Sequence, residues 1–141
     1  MGKKKIVQKG GEDTGMKTGS KKLSRKKMEA GTLYVQSTYN NTTLLLTDTK
    51  GNAISSSSSG ALGFKGAKKG TPFAAAKAAE VLAERAETLG LKKINVIVKG
   101  VGSGRESAIR SFISKGVQIE SISDRTPVPH NGPKKRKPRR V

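Results

Sequence analysis

The sequence predicts an α/β fold: one domain on a single mixed sheet, in the order β-β-β-α-β-α-β, with a basic extension at each end. Three observations carry this reading. Residues 32–57 hold three short β-forming runs joined by turn residues. Two helical segments follow, each opened by a capping signal and closed by a glycine. The most apolar run of the chain, Ile94–Val98, lies between those helices. Short strands with tight connections make an antiparallel meander, and strand–helix–strand alternation makes right-handed parallel crossovers. At 141 residues the chain has room for one core rather than two.

The elements follow in order. Thr32–Ser37 (TLYVQS) alternates and is rich in β-formers; Tyr39-Asn40-Asn41 turns the chain into a second strand, Thr42–Asp48. Asp48 to Gly51 is another turn, and Ala53–Ser57 is a weak third strand with no bulky side chain after Ile54. A loop from Gly60 to Thr71 carries Lys65, Lys68 and Lys69. Thr71 is placed as a helix N-cap and Pro72 as the first helical residue. That helix runs from Pro72 to about Leu89. Its expected apolar side is Phe73, Ala76, Ala79, Val81, Leu82, Ala83, Ala86 and Leu89, with Glu80, Glu84, Arg85 and Glu87 toward solvent. Gly90 is the stop. Ile94–Val98, apolar throughout, is expected at the sheet centre. After the Gly100–Gly104 loop, Ser103 and Glu106 have capping-box spacing. They predict a helix over Arg105–Lys115, with Ala108, Ile109, Phe112 and Ile113 inward and Gly116 as its end. Val117–Ser123 is the last strand, its alternation broken at Ile122.

Charge divides the chain. The formal net charge is +19. Residues 1–29 hold ten Lys or Arg against three acids, and the tail from His130 holds Lys134, Lys135, Arg136, Lys137, Arg139 and Arg140 with no acid. The domain itself, residues 30–126, has an ordinary mixture of signs. The N-terminal extension, 1–29, reads as an extended polyanion-binding arm or a solubilising tail. The C-terminal tail, 127–141, is kept extended by Pro127, Pro129, Pro133 and Pro138. Such a chain repels itself unless its counterion is present, and RNA is the polyanion that fits. The chain has no cysteine, so disulfides, zinc knuckles and thiol chemistry are excluded. No apolar run approaches the roughly 20 residues that span a bilayer, and no apolar stretch follows the basic start as in a secretory signal. The expected location is the cytoplasm.

Two loops have the form of phosphate sites. A strand, a GxGxG run and a helix bring backbone close to an anion and aim helix N–H groups at it. Arg105 stands in the first helical turn, against the helix dipole, as if an external phosphate lay there. An RNA phosphate is the favoured reading of this loop, and a plain tight turn is the alternative. Asp124 lies about 20 residues on, as in dinucleotide folds. However, Arg105 breaks the GxGxxG spacing and no second half-domain exists, so a nucleotide-cofactor reading fails. Lys65, Lys68 and Lys69 before the first helix form a second phosphate platform or a solvated lysine run. Asn40 and Asn41 either close their turn through side-chain bonds or contact RNA.

The only aromatics are Tyr34, Tyr39, Phe64, Phe73 and Phe112, and Tyr39 and Phe64 are the two expected on loops. Paired stacking residues on a strand are missing, so recognition is expected to rest on backbone and shape. Catalysis has little support. The one histidine is His130, in the tail. Asp48 and Asp124 end strands as nuclease carboxylates do, yet turn duty explains both. Asn131-Gly132 is the least hindered kind of asparagine for succinimide formation, so Asn131 is a candidate isoaspartate.

The motifs form an ordered set. They are Tyr39-Asn40-Asn41-Thr42, Thr47-Asp48 with Gly51-Asn52, Gly63-Phe64-Lys65-Gly66, and Thr71-Pro72-Phe73-Ala74-Ala75. Val98-Lys99-Gly100 with Gly104-Arg105-Glu106, then Ile109-Arg110, and Asp124-x-Thr126-Pro127-x-Pro129-His130-Asn131-Gly132 complete it. In this the chain closely resembles the family of the eleventh small-subunit ribosomal protein, in its bacterial form, over roughly residues 32–141. The resemblance implies a non-catalytic protein with a ribonuclease-H-like sheet that lacks active-site carboxylates and needs no cofactor. It implies binding to small-subunit rRNA on the platform, near the messenger exit and the exit-site tRNA, beside small-subunit proteins seven, eighteen and twenty-one. Carried onto this chain, Asn40, Asn41, Phe64, Lys65, Lys68, Lys69, Gly102, Gly104, Arg105 and Arg110 fall in contact or contact-shaping segments. The tail adds His130, Asn131 and its six cations. The chain departs from the family pattern at Val101, often proline, across Ser55–Ser59, often larger, and at Gly70, often serine or threonine. The last change removes a hydroxyl contact to phosphate.

Overall fold

The structure is a computed structural model and describes residues 27–141. Of the arm expected over residues 1–29, residues 1–26 lie outside the described residues. Five strands and two helices follow in the expected order: β1 Ala30–Ser37, β2 Thr42–Asp48, β3 Ala53–Ser58, α1 Pro72–Thr88, β4 Lys93–Lys99, α2 Gly104–Ile113 and β5 Gln118–Asp124. A short 3-10 helix, Gly66–Gly70, precedes α1. The sheet order is β3-β2-β1-β4-β5. β1 pairs antiparallel with β2 and parallel with β4; β2 and β3 are antiparallel, and β4 and β5 are parallel.

β1, not β4, occupies the centre, which corrects the expectation from the apolar run Ile94–Val98. The hairpin holds β2 on one side of β1, the returning β4 pairs with the free edge on the other, and β5 then covers β4. Burial of β4 is the usual inner-strand alternation, with Ile94, Val96 and Val98 buried and Asn95 and Ile97 partly so. Strand hydrophobicity reports what covers the faces, not rank in the sheet.

One sheet face is the core. Leu33, Val35, Leu44, Leu46, Ile94, Val96 and Val98 point into it and meet α1 and α2 in a single cluster with Phe112 and Val117. The helices also pack on each other. The buried stripe of α1 is Ala74, Ala75, Ala78, Ala79, Leu82, Ala83 and Ala86. Small side chains let its backbone lie close to the sheet. This stripe is rotated from the expected one: Ala76, Val81 and Leu89 are only partly buried and Phe73 points out, 64% exposed. In α2, Ala108 and Phe112 are buried and Ile109 packs at the margin, while Ile113, expected inward, is exposed because the helix has reached its last turn.

Helix ends follow local chemistry. Thr71 Oγ1 accepts from Ala74 N at 3.3 Å, and Pro72 opens α1. Gly90, with φ 76°, closes it in the left-handed region that glycine favours. Just before β1, Met28 N donates to Leu89 O, and Glu29 O accepts from Lys92 and Lys93. The break in alternation at Ile122 has a simple cause. Opposite Ile94 and Val96 stand Ile119 and Ile122, one residue out of step, so a β-bulge turns both isoleucines to the helix face. The serine-rich β3 is an edge strand, and Arg85 ties it to α1 by donating to Ser55 Oγ at 2.9 Å.

Candidate nucleic-acid interface

β1, β3, β4 and β5 all run one way, so their carboxyl ends share one end of the sheet. The 38–41 turn, the 59–71 loop, the 100–103 loop and the root of the tail therefore converge there. The N-termini of α1 and α2 face the same end. Open α/β sheets bind ligands outside the carboxyl ends of their strands.

Close backbone contacts weld these loops together. Gly102 N donates to Ser37 O at 3.0 Å, and Ser103 Oγ donates to Gly70 O at 2.9 Å. A Cβ at Gly102 would run into Ser37 Oγ and Thr38 O, and one at Gly104 into Thr42 Oγ1 and Ala75 Cβ. Both glycines are buried. They let the second loop and α2 lie against the β1–β2 turn, so their role is to shape the surface. Gly70 is constrained in the same way, because a Cβ there would meet the Tyr39 carbonyl.

The two asparagines separate. Asn41 is structural: its N–H donates to Thr38 Oγ1 at 3.1 Å, and its Oδ1 accepts from Gly60 N at 3.2 Å, joining turn to loop. Asn40 is exposed, with no side-chain hydrogen bond among the described residues.

The capping box expected from Ser103 and Glu106 does not form. Ser103 has helical backbone angles and its hydroxyl is engaged by Gly70 O, while Glu106 pairs with Arg110 at 3.3 Å on the helix surface. The unfavourable place of Arg105 in the first turn is met within the molecule. Its guanidinium donates to Gly100 O at 2.7 Å and to Asp124 Oδ2 at 2.5 Å. Asp124 Oδ1 in turn accepts from Thr126 Oγ1 at 2.6 Å and Thr126 N at 2.9 Å. Those Thr126 bonds, then Arg105, hold the Asp124 carboxyl down at about 2. Arg125 N donates to Val98 O at 2.8 Å and Thr126 Oγ1 accepts from Gly100 N at 3.1 Å. The tail thus leaves the domain from a fixed point beside the glycine loop.

Lys65 and Lys68 are exposed and Lys69 is partly so; no ion pair among the described residues includes them or a tail cation. His130, Lys134, Lys135, Arg136, Lys137, Arg139 and Arg140 are all exposed. Asn131 is exposed and has φ 56°. Phe64 is half-buried against Phe73. Sequence reasoning missed the outward Phe73 and the Arg105–Asp124 pair. The doublets Ala74-Ala75 and Ala78-Ala79, four residues apart, were the signal that Phe73 lies off the buried stripe.

Asp48 and Asp124 are at opposite ends of the sheet: Asp48 is registered with Gly31 at the start of β1, Asp124 with Val98 near the end of β4. They cannot share a metal. Asp48 instead accepts from Asn52 Nδ2, Asn52 N and Lys50 N, and the Asn52 side chain leads in holding its carboxyl below the usual range. Among the described residues no group of three or more His, Cys, Asp or Glu could hold a metal, and no helix is long and apolar enough to cross a membrane. The family described as Ribosomal protein S11 matches residues 31–140, from the second residue of β1 to the penultimate residue of the tail. The converging loops, the basic tail and this match together show that the chain belongs to the ribosomal protein S11 family, non-catalytic rRNA-binding proteins of the small subunit.

Proposed function

We propose that this chain is a structural constituent of the small-subunit platform, gripping rRNA with the loop surface at the carboxyl ends of β1, β3, β4 and β5. The observation that carries the reading is the convergence, at one end of the sheet, of two helix N-termini, Lys65, Lys68 and Lys69, and the root of the basic tail. Helix N-termini and lysines there neutralise phosphates. Asn40, Phe64 and Arg110 lie exposed or half-exposed for contact, whereas Asn41, Gly102, Gly104 and Arg105 fix the shape that is presented. The tail, from His130 and Asn131 through Lys134, Lys135, Arg136, Lys137, Arg139 and Arg140, extends into RNA near the messenger exit and exit-site tRNA. Small-subunit proteins seven, eighteen and twenty-one are its neighbours, in cytoplasmic ribosomes. The sheet order supports reading the domain as ribonuclease-H-like. The exposed, unhindered Asn131-Gly132 step supports reading Asn131 as an isoaspartate site; a peptide map of aged protein with only intact Asn131 would refute that.

Chemical footprinting of small-subunit rRNA with and without the protein tests the proposal. Protection should be confined to one folded region and should weaken when Lys65, Lys68 and Lys69 are changed together to alanine. Diffuse protection across many RNAs would instead mark a free-standing RNA-binding or RNA-chaperone module.

A further inference from the structure

Phe73 is a large ring placed where the core has no use for it. It stands second in α1, off the alanine stripe, and is 64% exposed. Phe64, from the preceding loop, packs against it edge to face, with centroids 6.1 Å apart and planes at 85°. This is a favoured aromatic arrangement, and it fixes both rings. Lys77, one turn along the helix, sets its Nζ over the Phe73 ring, 5.8 Å from the centroid, and bonds Glu80 at 2.9 Å, so a base stacking on that face displaces a flexible side chain rather than core packing. Lys65 adjoins Phe64 in sequence, and Lys68 and Lys69 lie on the short helix between the two rings.

We propose that Phe73, braced by Phe64, is a stacking site for an unpaired RNA base. Two perpendicular rings make a corner: a flat base lies on one face and meets the second ring with its edge. An exposed Phe73, backed by the half-buried Phe64 and flanked in sequence by exposed or half-exposed lysines, suits a ligand that is aromatic and anionic at once, which a splayed-out nucleotide is. An apolar protein knob would match the rings and leave Lys65, Lys68 and Lys69 without a partner. The site gives the loop surface a grip on single-stranded or bulged RNA that phosphate contacts do not provide. This inference rests on the RNA-binding reading and names the kind of nucleotide bound.

The test uses the full chain and transcribed small-subunit rRNA in a filter-binding assay, run across salt concentrations beside thermal melts. Phe73→Leu keeps apolar bulk and removes the π face. It should weaken binding roughly ten-fold, leaving the salt slope and Tm unchanged. Phe73→Trp should bind at least as tightly as the parent. Two results overturn the proposal while sparing the broader reading, provided Lys65→Ala still lowers affinity and slope: a Phe73→Leu protein that binds normally, or a Phe73→Trp protein as impaired as Phe73→Leu. A parent chain with no saturable binding would remove the RNA reading, and this site with it.

Discussion

Arg105 illustrates how a residue chosen by charge alone can acquire a different task in three dimensions. Its side chain joins the glycine loop to Asp124, and Asp124 joins Thr126 at the tail root. Thr126 and Arg105 favour the carboxylate, so the stability it contributes is complete above the ordinary value of 3.8 and is lost as pH falls toward about 2. Asp124→Asn removes the titrating group. Urea titrations from pH 5 to pH 2 should show the parent losing more stability across that window than the variant; parallel losses would contradict the network. In the tail, Arg136→Ala should lower the salt slope of RNA binding by about one phosphate's worth, roughly 0.7–0.9, and an unchanged slope would mean that the tail is not engaged. Tail cations were legible because exposure and charge are properties of composition. The Arg105–Asp124 pair was not, because a bulge in β5 sets where Asp124 falls beside β4, and no local signal in the sequence marks that bulge.

At the scale of elements, the ends of α1 were fully written in Thr71, Pro72 and Gly90. Thr71→Ala should destabilise the fold by about 1 kcal/mol, measured by urea denaturation. The rotation of α1 was harder to read, since an alanine-rich helix has two weakly apolar sides and only packing chooses between them. The start of α2 was placed within one residue, but its capping bond was not legible: capping-box spacing was present, yet Ser103 has helical backbone angles and its hydroxyl donates to Gly70 O. Contacts between loops decide such cases. Gly104→Val would force α2 away from Thr42 and Ala75. The overpacking should cost about 1–3 kcal/mol and should weaken RNA binding by displacing the loops. A variant with parental stability and affinity would show that this close approach does not shape the surface.

For the molecule as a whole, topology collects at one end of the sheet what the sequence scatters: two helix N-termini, a lysine loop and the tail root. The direction of each strand follows from the element order and the parallel crossovers, which is why the meeting of the two helix N-termini could be anticipated. Strand rank could not, because β1 and β4 are both apolar enough to be central and only pairing separates them. The extended tail and its cations make sense only with a polyanion to hold. On the proposed function, this family member works as a fixed part of the small subunit. Sedimenting a cell lysate through a magnesium-containing gradient and following this protein tests it most directly. The protein should travel with small subunits and stay there through a moderate-salt wash. Protein remaining near the top, or spread over all RNA, would contradict it.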